Sequence, residues 1–463
     1  MKKSTLLINL IFSSSFILII FLLGMGMDFT WKVGWTFISC QSLLLLFYNL
    51  FQASNKNLNS DILLFNLALF IFILIDPLTS MYYEKGFPSV FGEINNNYVS
   101  NKTGLIISLY CISFFIGNFL FELKKRNKQT KKETTKLYFS KRLIALFVTL
   151  GISPFFFYGS GDLVSNFLSN LLARNSGYVA FSSGGLGNEN PLMILFIQIL
   201  PATTVILGIV VINLRGYKRL ITSLIMLTMM LLFITLGGRG GVVFVSLSII
   251  FYYLYQNESN YFPIKKILSL FFVIILVLSY QINSREFNQN DSRSALDGSS
   301  LNRELAFISE HYDEKIRFTD SDNLFESVIY PIPETLILLI TNPIPRIFWK
   351  NKPFDESFGD YNMLRLGTNG YSTGSNITPT IPGRYYLKYG LIGVLEIGLL
   401  IGFLWSYISN KIFLSLNKKG LLLLIPITLS VTFFVSARDY APGKFYPVLF
   451  IYIFHKINSY LKK

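Results

Sequence analysis

The sequence predicts an all-α polytopic integral membrane protein of about twelve transmembrane helices with one large outer loop. Three observations predict it. Apolar runs long enough to cross a bilayer recur along the 463 residues; only 14% of residues are charged against 52% hydrophobic; and the basic residues collect between the runs on alternate sides. Average usage is about 25% charged, so the deficit of charge argues against a soluble multidomain chain more strongly than the apolar excess does. A mean hydropathy of +0.48 agrees.

A helix needs about 20 predominantly apolar residues to cross the hydrocarbon core. The expected spans are residues 6–27, 33–51, 62–80, 104–121, 143–158, 191–213, 220–237, 241–255, 267–283, 385–408, 420–437 and 445–458. Lys2 and Lys3 resemble the basic start of a signal peptide, but Leu6–Met27 is long and no small-residue cleavage pattern follows it, so the first run is expected to stay as a helix.

The net charge of +15 would suit a nucleic-acid partner if it formed one patch. It does not. Segment 122–142 alone holds nine Lys and Arg, whereas each short loop of the opposite side holds one or two. The positive-inside rule then puts both termini and 122–142 in the cytoplasm. The chain divides into residues 1–283 with nine spans, an outer loop 284–384, and residues 385–463 with three spans. Within the loop, the Pro-rich stretch 331–349 is expected to rest on the outer interface, anchored by Phe348 and Trp349. No internal repeat is visible.

Charge within a span is costly and marks function by default. Span interiors are charge-poor, and the clear exception is the tenth, with Lys388 near its outer end and Glu396 near its middle. A transporter would need ionisable groups along a path, which argues against that class. Cys40 and Cys111 lie singly in apolar runs and read as small hydrophobes. No His/Cys/Asp spacing suits a metal, and no cofactor motif appears; the site is expected to use neither.

The outer ends of the spans look different. Gly237-Gly-Arg239-Gly-Gly241 reads as a tight turn opening a helix, Arg438 and Asp439 lie between the last two spans, Arg174 precedes Tyr178 in another loop, and Arg384 closes the large one. Any one of these arginines could be a snorkelling interfacial residue. Four delivered to one face are better explained by an anionic ligand there, because a guanidinium is always charged and matches phosphate with a planar fork of donors. A base is also available: Asp439, Glu334 or His311, which these patterns do not rank.

These segments resemble the Wzy-type polysaccharide repeat-unit polymerases, especially their O-antigen and enterobacterial common antigen branches. The likeness runs through Gly237–Gly241, Pro343–Pro353 with Arg346 and Lys352, Ile377–Gly383 leading to Tyr389–Gly393, and Ala437-Arg438-Asp439. It implies a GT-C-like architecture and a metal-independent glycosyltransferase that polymerises undecaprenyl-diphosphate-linked oligosaccharide repeats at the outer face of the membrane. It implies donor and acceptor glycolipids as substrates, with a chain-length regulator and a repeat-unit flippase as partners. Arg239 and Arg438 would stabilise the departing diphosphate, with Asp439, Glu334 or His311 as base; Arg174, Arg384, Tyr178, Arg346 and Lys352 would bind substrate. An O-antigen ligase would use similar arginines but hand the finished chain to another acceptor; a flippase of the same lipid is the reading from a different class.

Overall fold

The fold is that of a computed structural model, described for residues 6–11, 14–15, 31–54, 60–82, 84, 87–89, 92–94, 97–124, 139–157, 191–235, 239–256, 380–415, 421–437 and 442–461. Helices α1 (Trp31–Ser54), α2 (Ser60–Leu69), α3 (Ile75–Tyr82), α4 (Asn97–Lys124), α5 (Lys141–Phe157) and α6 (Pro191–Asn213) are followed by α7 (Tyr217–Thr235), α8 (Arg239–Gln256), α9 (Ile381–Ser415), α10 (Leu421–Ser436) and α11 (Tyr446–Tyr460). Residues 6–11 and 14–15 are helical as well. A short antiparallel hairpin, β1 (Phe87–Ser89) with β2 (Gly92–Ile94), joins α3 to α4. Three described helices are long and apolar enough to cross a membrane: Lys102–Leu123, Phe196–Asn213 and Tyr389–Ser415. Where an expected span falls on described residues, a helix occupies it; 267–283 lies outside them.

The third expected span is not one regular helix. Phe70–Leu74 forms a π-helical turn between α2 and α3. Pro77 explains the need for it, because a proline lacks the N–H and would clash with the carbonyl four residues back, here that of Ile73. The widened turn absorbs that conflict within an apolar surrounding that offers no water.

Side-chain contacts fix the directions of the helices. Gly151 packs on Leu200 and the Thr203 hydroxyl reaches the Phe147 carbonyl, so α5 and α6 are antiparallel. The Ser140 amide donates to Asn458 and Phe147 meets Phe454 edge to face, so α5 also opposes α11. Three-residue connections make α6, α7 and α8 successive antiparallel neighbours. Trp405 packs on Phe433 and donates from Nε1 to Ser430 Oγ at 2.6 Å, while Pro382 and Ala437 share one cleft; α9 therefore opposes α10.

The most extensive contact in the fold is a parallel one, between α4 and α9. Small residues allow it. A Cβ added at Gly117 would overlap the Leu399 carbonyl oxygen, one at Gly398 the Ser113 hydroxyl, and one at Gly402 the Phe114 carbonyl oxygen. The two backbones thus touch along Ser113-x-x-x-Gly117 and Gly398-x-x-x-Gly402, the small-residue spacing by which membrane helices approach closely. Beside this seam Phe65 stacks on Phe114 with centroids 3.6 Å apart, and Trp405 meets both rings edge-on.

Buried polar groups are handled locally. Thr204, Thr428 and Thr432 return their hydroxyls to carbonyls four residues back, and Ser108 does the same. Asn66 donates to Asn9 and Asn118 donates to the fully buried Asp61 at 2.7 Å.

Gly402→Val is expected to lower stability by roughly 1–3 kcal/mol, because branching at the seam must push two backbones apart. Leu220→Ala, on an exposed face, should change it little. Thermal denaturation of the purified protein in one detergent measures both.

Candidate functional site

The directions of the helices decide which functional residues meet. α8 is parallel to α6 and α11, and Lys444, just before α11, donates to the Val435 carbonyl at the finish of α10, so α8 opposes α10 as α9 does and the starts of α8 and α9 share one end of the bundle with the finish of α10. Arg239 is the first residue of α8, Arg384 lies in the first turn of α9, and Ala437, next to Arg438 in the chain, closes α10. Phe157 and Pro191, which bracket the segment containing Arg174, also belong to that end.

Two expectations are corrected here. Arg384 is not the last residue of a loop, because α9 begins at Ile381, four residues before the expected start. Thr380, fully buried, accepts from the Gly383 amide at 3.4 Å, and Pro382 suits a first turn where its missing N–H is not needed. Arg239 through Gly241 likewise belong to helix α8 and not to a turn. Both arginines therefore stand at helix starts, where the helix dipole adds to an attraction for anions.

The helix carrying Arg384 is broken. Gly390 has φ 63° and ψ −154°, which separates an outer segment, 381–389, from the membrane-crossing remainder of α9. Only glycine adopts that conformation without strain. Gly393 completes the bend, since a Cβ there would meet Tyr389 Cβ at 2.6 Å and the Tyr385 carbonyl at 2.8 Å. Across the bend, Lys102 at the start of α4 lays its ammonium over the Tyr386 ring, 5.9 Å from the centroid. Lys102 is thus a further cation at the arginine end, one that charge counting treats only as a loop residue.

Among the described residues a small apolar pocket, with room for roughly one water molecule, lies between α2, α4, α9 and α10. Pro382 and Ala437 line it beside the helix ends; Ala68, Ile73 and Ile401 form walls; Phe65, Trp405 and Phe433 are among its deeper residues. The aromatic contacts described above hold that floor rigid.

Acids are also placed. Glu396 lies in α9 with Oε2 buried and, among the described residues, without a hydrogen-bond partner. Span-by-span reading passes over Asp61 and Asp76. Asp61 packs against Asn118 as a structural pair, whereas Asp76 sits in α3, three residues beyond the cleft-lining Ile73. Its residue type inside an expected span is the signal that could have found it. Arg174, Tyr178, His311, Glu334, Arg346, Lys352, Arg438 and Asp439 lie outside the described residues. Among the described residues no group of three His, Cys, Asp or Glu could hold a metal.

Gly390→Ala is expected to rotate the 381–389 segment, since an alanine in that essentially glycine-only region of positive φ and extended ψ costs of order 1–3 kcal/mol. A short bifunctional thiol reagent should link Lys102→Cys to Tyr386→Cys several-fold less in that background than with glycine present.

No curated protein and no solved structure matches the chain. The family described as O-antigen polysaccharide polymerase Wzy matches residues 9–463, essentially the whole chain. It acts on lipid-linked oligosaccharide repeat units in the membrane, and the apolar helices agree with a multi-pass bacterial membrane protein. With its helical bundle and its match from residue 9 to residue 463, the chain belongs to the O-antigen polysaccharide polymerase Wzy family.

Proposed function

We propose that this protein joins undecaprenyl-diphosphate-linked oligosaccharide repeats into a surface polysaccharide at the outer face of the cytoplasmic membrane, without a metal. The observation that supports the proposal is that the helix starts holding Arg239 and Arg384 and the end of α10, which leads in sequence to Arg438, share one end of the bundle. An amphiphile with a diphosphate head fits that distribution of charge. The likeness to the enterobacterial common antigen branch belongs to the same proposal.

A hydroxyl of one lipid-linked repeat attacks the anomeric carbon of a lipid-linked glycan. The new glycosidic bond forms as the bond to diphosphate breaks, and polyprenyl diphosphate leaves with the bonding electrons. Negative charge grows on the leaving oxygen, where preorganised guanidinium groups stabilise it more than they stabilise the ground state. Arg239 and Arg438 take that role, and Arg174, Arg384, Tyr178, Arg346 and Lys352 hold donor and acceptor. The hydroxyl proton passes to Asp439, Glu334 or His311.

Arg239→Ala or Arg438→Ala is expected to lower polymer yield by about 100-fold or more, the loss typical of removing one donor to a developing oxyanion. Arg→Lys at either position should restore only part of it, since lysine keeps the charge but loses the fork. The readout is polymer length and yield on gels, in cells that make the repeat unit and hold each variant at the parent level in their membranes. Unchanged polymer from either alanine variant contradicts the proposal.

A further inference from the structure

We infer that the groove between α5 and α7, at the end of the bundle opposite Arg239 and Arg384, binds an anionic phospholipid of the leaflet on that side, with Lys141 and Lys218 at its phosphate. Both helices oppose α6 and so run parallel to each other. They also touch: a Cβ at Gly151 would lie 3.2 Å from Met229 Cε, and Ile144, Val148 and Ile152 pack with Leu200, Met226 and Met229. Ten residues before that contact stand Lys141 on α5 and Arg219 on α7, so an equal rise per residue sets the two helix starts level. Lys141 shares a helix face with Ile144, Val148 and Ile152, and Lys218 shares one with Ile225 and Met229. The two lysines therefore flank the mouth of one groove.

That arrangement of charge calls for an anion. Lys141, Arg142, Lys218 and Arg219 are exposed in the first turns of two touching helices, where the macrodipole is already positive, and neither first turn holds an acid. Arg215 adds a fifth cation just before α7. The positive-inside rule asks only for cations near the end of a span, not for two first turns that face each other. Next to the cations the walls are open and largely apolar: Ala145, Leu146 and Thr149 on α5, Ile221 and Ile225 on α7. Tyr217, exposed beneath the Lys218 ammonium, suits the level of the headgroups. Cations above a hydrocarbon wall complement a phospholipid of net negative charge, whereas a zwitterionic one brings its own ammonium to the same place.

The test uses the purified full-length protein with Cys40→Ala, Cys111→Ala and Thr228→Cys, the last carrying a fluorophore about one turn deeper than Ile225. In phosphatidylcholine nanodiscs, phosphatidylglycerol or phosphatidylcholine with brominated chains replaces a rising share of the lipid and quenches the label. Half-maximal quenching is expected at a roughly tenfold lower share of the anionic lipid, as two cations near a surface imply. Lys141→Gln with Lys218→Gln should bring the two lipids to parity, and Lys141→Arg with Lys218→Arg should keep most of the preference. Lys411→Gln, which removes a cation at the same end near the finish of α9, should leave it whole. Quenching by brominated phosphatidylcholine should be the same in every variant, which shows that the helices keep their place in the bilayer.

Equal quenching by the two lipids in the parent protein would overturn the inference. So would a loss of preference in Lys411→Gln as large as in the double glutamine variant, the mark of general surface charge. Reversal of the anionic-lipid effect by millimolar inorganic phosphate would overturn it as well, since the groove would then hold an ion and no lipid. None of these results touches the polymerase reading.

Discussion

The placement of Lys102 and of the helix start carrying Arg384 depends on one contact, the backbone seam between α4 and α9. Helices in lipid gain nothing from excluding water from each other, so close packing and hydrogen bonds must hold them. Here Gly117, Gly398 and Gly402 leave no room for a side chain, and the parallel register they impose is strict. That register puts Lys102 over Tyr386 at one end and brings Phe114 against Phe65 and Trp405 lower down. Tyr110, Ile401 and Trp405, which line the small apolar pocket, are therefore placed in part by this packing constraint.

The membrane also dictates where charge can be kept. Hydroxyls inside the bundle fold back to their own helix, and the Trp405 indole finds Ser430. Asp61 is fully buried and accepts from Asn118. Arginine cannot be neutralised by proton loss and would be costly at mid-depth, so it belongs at helix ends. Concentrating Arg239 and Arg384 in first turns satisfies this constraint and adds the pull of the helix dipole for an anion. The same physics that excludes arginine from the interior thus collects positive charge at its border, as the proposed reaction needs.

Much of the helical scaffold is legible in the sequence because apolar run length is a direct measure of what a bilayer demands. The run 191–213 coincides with α6, and 421–436 falls within the expected 420–437. Local exceptions are harder to read. Pro382-Gly383 looks like loop chemistry, yet with Thr380 as a cap it opens a helix; the bend at Gly390 and the π turn at Phe70–Leu74 are backbone events inside uninterrupted apolar pattern. The spacing Gly398-x-x-x-Gly402 was open to view, but its partner Ser113-x-x-x-Gly117 lies nearly 300 residues away, and only the fold pairs them. For the site, the arginines were legible as residues at span ends. Lys102 was not, because its role comes from the Tyr386 ring contributed by a distant helix.

The central claim is that the starts of α4, α8 and α9 face one side of the membrane together, and sidedness measures it most directly. In a variant with Cys40 and Cys111 replaced, single cysteines at Lys102, Arg239 and Arg384 would be exposed in spheroplasts to a thiol reagent that cannot cross the membrane. Cysteines at Lys218 and at Ser459, which lie toward the opposite end, serve as the contrast. The account predicts labelling of the first three from outside and of the last two only after permeabilisation. Labelling of Lys102→Cys and Arg384→Cys from one side and Arg239→Cys from the other would contradict it.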